Sequence, residues 1–284
     1  MSLTCRRVIN QFLAWADACL APATVAAYRH QLRKVPPSVK RKDCRHLRPA
    51  DLTRWAKTWH EGQAVVRAFN WAVFEAKLIK ANPFADVRLP GRGERQRILS
   101  PQEIARILRA ARRPGRRFLL ALRETMARPQ EIRLAAWDDL QTERPGVPLL
   151  DALRAGQALL VLRDYKDRKR RKDATAPRVI LITPRLGRLL ARIMPASPTP
   201  GQRIFVNAEA QPWTRNAVRC LMRRLRSRLG FERDKHGETI CAYTFRHSTA
   251  TNAAANGITD RLLADLLGHV ETRTTRRYQH LCVG

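Results

Sequence analysis

The stretch RLPGRGERQRILSPQEIARIL (residues 88–108) decides how this chain is organised. Its first half holds Pro90, Gly91 and Gly93 among arginines and a glutamate. Such a run breaks regular structure and stays solvated, so residues 89–99 read as a linker. Its second half is a helix start. Ser100 is a good N-cap, Pro101 suits the first helical position, and Glu103 completes a capping box. One domain is therefore expected over residues 1–88 and a second over 100–284.

Upstream, the apolar spacing predicts four helices. They fall in residues 4–20, 21–35, 48–60 and 62–84. In the third, Leu52, Trp55, Ala56 and Trp59 share a face, and Pro49 can start it. The fourth should stop near Asn82-Pro83, because proline disfavours helix in the residue before it. Downstream, helices are expected to about residue 140. ALLVLR (158–163) and PRVILITP (177–184) then read as strands, joined by the basic connection DYKDRKRRKDATA (164–176). QRIFVN (202–207) is a possible third strand. Residues 214–230 form an amphipathic helix: Val218, Met222, Leu225 and Leu229 share one face, and Arg215, Arg219, Arg223 and Arg226 line another. Helices over 244–256 and 259–267 follow, with Asn256-Gly257 and Gly268 as stops. The expected fold is mainly α: an N-terminal helical bundle and a C-terminal, mostly helical domain with a small antiparallel β-sheet.

The 284 residues are 44% hydrophobic and carry a formal charge of +31. The composition suffices for a core, and the charge calls for a polyanionic partner, most simply nucleic acid. No apolar run approaches the roughly 20 residues that span a bilayer. The N-terminal stretch is too interrupted for a signal peptide, so an intracellular location is expected. The six cysteines include no C-x-x-C pair and no cluster suited to zinc. Neither metal nor cofactor is expected.

Cutting a phosphodiester without a metal needs three things: a nucleophile, cations on the non-bridging oxygens, and an acid for the leaving oxygen. Arginine suits the cationic task because its planar fork donates two hydrogen bonds to one phosphate. Tyrosine can attack phosphorus if nearby positive charge lowers its pKa. The chain carries such parts in order. Arg128 lies in TMARPQEIRLAAWDDL, Arg246 in YTFRHSTAT and His269 in LLGH; Tyr278 stands nine residues after His269. Between His269 and Tyr278 only Val270 is apolar, so burial does not set that segment. Ser248 beside His247 is a poor nucleophile, with no acid-oriented histidine arrangement to activate it.

These pieces resemble the tyrosine recombinases, the phage-integrase type of site-specific DNA recombinase. The matching positions are Thr125, Arg128, Glu131 and Trp137-Asp138; then Arg246, His247, Ala250 and Thr251; then Leu266 to His269; then Tyr278. The resemblance covers the whole second domain and extends to the first, which looks like the family's core-binding domain. It implies a catalytic set of Arg128, Lys166, Tyr243, Arg246, His269 and Tyr278, with Tyr278 forming a 3′-phosphotyrosyl link. Lys166, at the end of the first strand, best matches the family's lysine acid; Lys169 and Lys172 are rivals. Tyr243 stands where the family usually has histidine, and Met126 where it prefers glycine. Glu131 and Asp138 are expected to pair with or orient arginines, and Arg215, Arg219 and Arg223 to position DNA. Duplex DNA, a homotetramer on paired duplexes, and a prokaryotic cytoplasm, at the nucleoid when DNA is bound, are further implications. Six residues follow Tyr278, where many relatives have a longer docking tail, so protomer coupling is expected to be shorter or to lie elsewhere. A type IB topoisomerase-like enzyme and a non-catalytic DNA-binding relative are the alternative readings.

The charge sets a first test. Affinity for a long random duplex should fall steeply with salt, with a slope of about −0.9 in log K against log salt per neutralised phosphate. A salt titration of binding checks this; a flat response contradicts a phosphate-dominated contact.

Overall fold

A computed structural model describes residues 3–91, 96–163, 165, 177–231, 233–234 and 237–269. The chain divides into two compact units, Met1–Glu94 and Arg95–Gly284.

The first unit contains α1 (Cys5–Cys19), α2 (Pro22–Arg33), α3 (Pro37–Arg41), α4 (Ala50–Thr53) and α5 (Trp59–Phe74). Thr4 caps α1, its side chain accepting from the backbone N–H of Arg7. Val8, Ile9 and Phe12 of α1 meet Val65, Ala68, Phe69 and Ala72 of α5, with Leu32 of α2, in one buried core. Phe12 packs edge-on against Tyr28 and Trp71, and the Arg67 guanidinium lies over the Trp15 ring at 5.2 Å. The expected third helix is cut in two. The short α4 ends at Thr53, and Trp59 instead opens α5, because Thr58 and Glu61 form a capping box there. α5 also stops sooner than the proline rule suggests. Lys77 takes a left-handed φ of 53° and the Leu78 N–H returns to the Ala72 carbonyl, closing the helix at Phe74. Asn82 then bonds Asn70 and the Val66 carbonyl, and Phe84 packs on Phe69 with ring centroids 5.0 Å apart.

In the second unit α6 (Pro101–Ala110) begins with the Ser100–Glu103 capping box. α7 (Arg113–Thr125), α8 (Pro129–Leu134), β1 (Leu140–Thr142), α9 (Leu149–Ala155), β2 (Ala158–Leu162) and β3 (Arg178–Leu181) follow. α10 (Pro184–Ile193), α11 (Arg215–Leu229), α12 (Ala242–Ala255) and α13 (Asp260–Leu267) complete the unit. The sheet is antiparallel in the order β1-β2-β3, with Leu160 opposite both Leu140 and Ile180. Residues 202–207 do not form the third strand; β1 does. Ile204 and Phe205 are both buried although adjacent, so the stretch lacks strand alternation, and it makes only single bridges at Arg203 and Val206. Residues 96–99 are not a solvated linker: Glu238 accepts from the N–H groups of Gln96 and Arg97, and buried Leu99 donates to Ser248 Oγ at 2.7 Å. α9 and α10 cross closely at Gly187, where a Cβ would lie 2.1 Å from the Leu153 carbonyl oxygen. One core spans Ile107, Phe118, Leu122, Leu160, Ile180, Leu190, Met222 and Phe245. Among the described residues no helix is long and apolar enough to cross a membrane, and no group of His, Cys, Asp and Glu could hold a metal ion.

The first unit generates a thiol test. Burial pushes the Cys5 thiol up to about 12 and that of Cys44 up to about 11, while Cys19 is exposed. Alkylation proceeds through the thiolate. At pH 8 iodoacetamide should label Cys19 readily and leave Cys5 and Cys44 protected until the unit unfolds; peptide mass mapping checks it. The sign for stability follows. The unfolded chain loses these protons first, so the first unit loses stability as pH rises above about 9.

Candidate active site

The site is built from helix ends. At the end of α7, Thr125 Oγ1 donates to the Ala121 carbonyl at 2.6 Å and accepts from the Ala127 N–H at 3.2 Å. Between them Met126 takes a left-handed conformation, φ 49°. For a residue with a Cβ this costs about 1–2 kcal/mol. The turn directs the Met126 carbonyl at Arg246 Nη1, 2.6 Å away. Arg128 is the N-cap of α8, and Pro129 fills the first position, where an N–H would have no helical partner. Glu131, in the first turn of α8, closes back on Arg128: Oε2 accepts from its N–H at 2.7 Å and Oε1 from its Nη1 at 2.9 Å.

Glu131 is 5% exposed and serves a second arginine. Arg178 Nη1 donates to both its oxygens, at 2.8 and 2.7 Å. The sequence reading did not single out Arg178. The signal was present: the arginine stands in the same strand phase as Ile180, and a charge at an inward position needs a buried partner. Arg178 Nη2 continues to the Leu266 carbonyl at 3.0 Å. Burial pushes the Arg178 pKa down to about 10, with Arg246 and Arg128 acting the same way and Glu131 opposing.

Arg246, on α12, is fully buried. Its Nη2 donates to the Leu267 carbonyl at 2.6 Å and lies 3.2 Å from His269 Nε2. Arginine can only donate, so a hydrogen bond across this contact needs the facing His269 nitrogen as its acceptor. His269 reaches this place through the C-terminal turn of α13. Gly268 has φ 62°, its N–H bonds the Asp265 carbonyl, and the His269 N–H bonds the Ala264 carbonyl at 2.8 Å. This is a Schellman closure, which favours glycine. Gly268 is doubly constrained, since a Cβ would also come within 2.8 Å of Arg178 Nε.

The structure thus brings Arg128, Arg246 and His269 together: Glu131 and Arg178 tie Arg128 to the end of α13, where Arg246 and His269 meet. Tyr278 and Lys166, with Lys169 and Lys172, lie outside the described residues. Among the described residues Asp138 pairs with no arginine; it is exposed and accepts from the Gly201 N–H at 2.6 Å. Ser248 is buried and doubly used, accepting from Leu99 and donating to the Thr244 carbonyl at 2.7 Å. That leaves it no part as a nucleophile.

Beside the network runs a groove of about 590 Å³ between α8, α11 and the start of α12. Among the described residues six arginines line it, 128, 133, 215, 219, 223 and 226, together with half-buried Tyr243, and no acid does. Arg215, Arg219 and Arg223 are exposed along α11. Arg226 is not part of that exposed stripe, because its Nη1 is turned inward to the Ile240 carbonyl at 2.6 Å. Burial lowers the Arg133 pKa, and Arg215 and Arg203 lower it further. The groove is a concentrated cationic surface, suited to a chain of phosphates.

Tyrosine recombinase XerC of Treponema denticola is 32% identical over 78 residues, 28% of this chain and 24% of that protein. The aligned stretch thus spans about a quarter of that curated relative. In fold, the chain is similar to a Tn1549 transposon integrase in complex with a circular intermediate DNA, at TM-score 0.74 and 16% identity, covering 98% of this chain and 95% of that one. It is likewise similar to lambda integrase in a tetramer bound to a Holliday junction, at TM-score 0.72 and 15% identity, covering 95% and 79%. The Phage integrase family model matches residues 97–283, which contain the whole arginine–histidine network and the groove beside it, so this chain belongs to the phage integrase family.

Proposed function

We propose that the chain is a site-specific DNA recombinase that cuts and rejoins strands through Tyr278. The observation that carries this reading is the convergence of Arg128, Arg246 and His269 through one buried carboxylate and two helix ends, beside a groove lined by arginines. In the proposed reaction the Tyr278 oxygen attacks phosphorus and loses its proton. The bond from phosphorus to the 5′ oxygen breaks, and a lysine of the basic connection, Lys166 in the first instance, protonates the leaving oxygen. Arg128 and Arg246 hold the non-bridging oxygens as charge builds, and His269 contacts the same phosphate. Arg246 is fully buried in the present state, so its contact with phosphate requires the site to open. A 5′ hydroxyl from a partner strand then attacks the phosphotyrosyl link and restores Tyr278. The link conserves the phosphodiester energy, so the exchange consumes no nucleotide.

Arg215, Arg219 and Arg223 would position the duplex by its phosphates. The first unit would act as the core-binding domain. A homotetramer on two duplexes is the proposed working assembly, by likeness to the lambda integrase tetramer on its junction.

Two experiments test the reading. A nicked suicide duplex carrying a site selected in vitro should trap a detergent-resistant protein–DNA adduct. Tyr278→Phe should abolish the adduct and keep duplex affinity; an adduct that persists in the phenylalanine variant rules Tyr278 out as nucleophile. Relaxation of supercoiled DNA without strand exchange would instead point to a topoisomerase-like activity.

The second concerns Tyr243, which lines the groove with Arg128. A hydrogen bond from its hydroxyl to a charged group is worth roughly 1.5–3 kcal/mol. Tyr243→Phe should therefore slow single-turnover cleavage about ten- to a hundredfold, with duplex affinity little changed. Full activity of Tyr243→Phe would remove it from the reacting groups and leave it as a packing residue.

A further inference from the structure

The Arg178–Glu131 pair meets both arms of the site. Arg178 is 2% exposed and opens β3 on its inward phase, in step with buried Ile180, while Val179 and Leu181 face out. One guanidinium grips the carboxylate that aligns Arg128 and the last turn of the helix that delivers His269. It also abuts Gly268, the residue that turns the chain toward His269. Its strand begins where the basic connection with Lys166 ends. Burial, Arg246 and Arg128 all disfavour its charge, yet at a pKa of about 10 it stays charged at neutral pH. A buried ion pair replaced as a whole by apolar residues of similar volume is often no less stable. Holding a third guanidinium there makes geometric sense only if its directed bonds are used.

We propose that Arg178 is a positioning residue for strand cleavage: it locks Glu131 and the C-terminal turn of α13 together, so that Arg128 and His269 address one phosphate. The proposal rests on the recombinase reading above. Arg178 itself touches neither DNA nor the reacting atoms. Its three donated bonds join β3, α8 and α13, elements whose sequence positions are 47 and 88 residues from it. A lysine could hold the charge, but one ammonium cannot reproduce a planar fork that sends Nη1 to Glu131 and Nη2 to the Leu266 carbonyl.

The test compares the full chain with Arg178→Lys, Arg128→Lys and the double variant. Thermal melting, affinity for the selected duplex and the single-turnover rate of adduct formation are measured for each. Arg178→Lys should melt cooperatively, bind the duplex like the parent, and form adduct about tenfold more slowly, the loss of roughly one charge-assisted hydrogen bond. The double variant should be little slower than Arg128→Lys alone, because the two changes damage one device. A merely structural arginine would give losses that multiply, and that result, or full speed for Arg178→Lys, overturns the proposal. Gly268→Ala displaces the guanidinium without removing it and should show the same pattern of retained binding and slowed adduct. If Arg178→Lys and Gly268→Ala both lose cooperative melting, Arg178 serves folding and the proposal fails. Absence of any adduct from the parent chain overturns the recombinase reading itself, and this inference with it; a normal parent rate with multiplying losses overturns only the role of Arg178.

Discussion

The second unit depends on one buried carboxylate shared between two guanidinium groups. Glu131 takes Arg128 from its own helix turn and Arg178 from β3, and all its contacts lie between 2.7 and 2.9 Å. A buried ion pair gives little net stability compared with an apolar filling, but losing one partner leaves an uncompensated charge, at about 3–5 kcal/mol. The pair therefore acts less as a source of stability than as a constraint. Once the carboxylate is placed, the position of Arg128 and the spacing of β3 from α8 are both set.

The other half of the site rests on helix C-termini. The last carbonyls of a helix have no internal donor and carry the negative end of its dipole. In α13 these carbonyls are taken by arginines: Leu266 by Arg178 and Leu267 by Arg246. Arg246 has a further carbonyl, that of Met126, just past the end of α7. Two helix ends thus supply neutral acceptors to a fully buried cation. This matters for chemistry proposed at phosphate, because a neutral acceptor leaves the guanidinium its full charge, whereas a tightly paired acid would compete with the phosphate.

The same logic accounts for the strained positions. Met126 stays left-handed because its carbonyl is held by Arg246. Gly268 combines a left-handed turn with close approach to Arg178, and no residue with a Cβ meets both conditions cheaply. Beyond the network, the groove gathers six arginines and no acid among the described residues. Their mutual repulsion works against the compact state unless an anion is present. The two parts differ in kind: the network turns its guanidinium Nη donors onto internal acceptors, and the groove presents its charges outward.

The sequence by itself determined the helices with strong local signals. Thr4, Ser100, Thr214 and Gly230 stop and start helices through bonds within a few residues, so their effect is written locally. The strands at 158 and 178 were legible for the same reason, residue type and spacing, while Arg128, Arg246 and His269 stood out through motifs that resemble the family's. The early end of α5 and the choice of β1 over residues 202–207 were not legible, since they follow from contacts such as Asn82 with Asn70 and Ile204 with Ala135; the split after α4 did carry a local signal, the Thr58–Glu61 capping box, which the apolar spacing overrode. Arg178 shows the limit most clearly. In the sequence it is one arginine among many, marked only by its strand phase. Its meaning lies in Glu131, 47 residues earlier, and in Leu266, 88 residues later. Only the tertiary structure decides such a partnership, because burial removes water as the alternative partner and leaves a charge to whichever group the fold brings within reach.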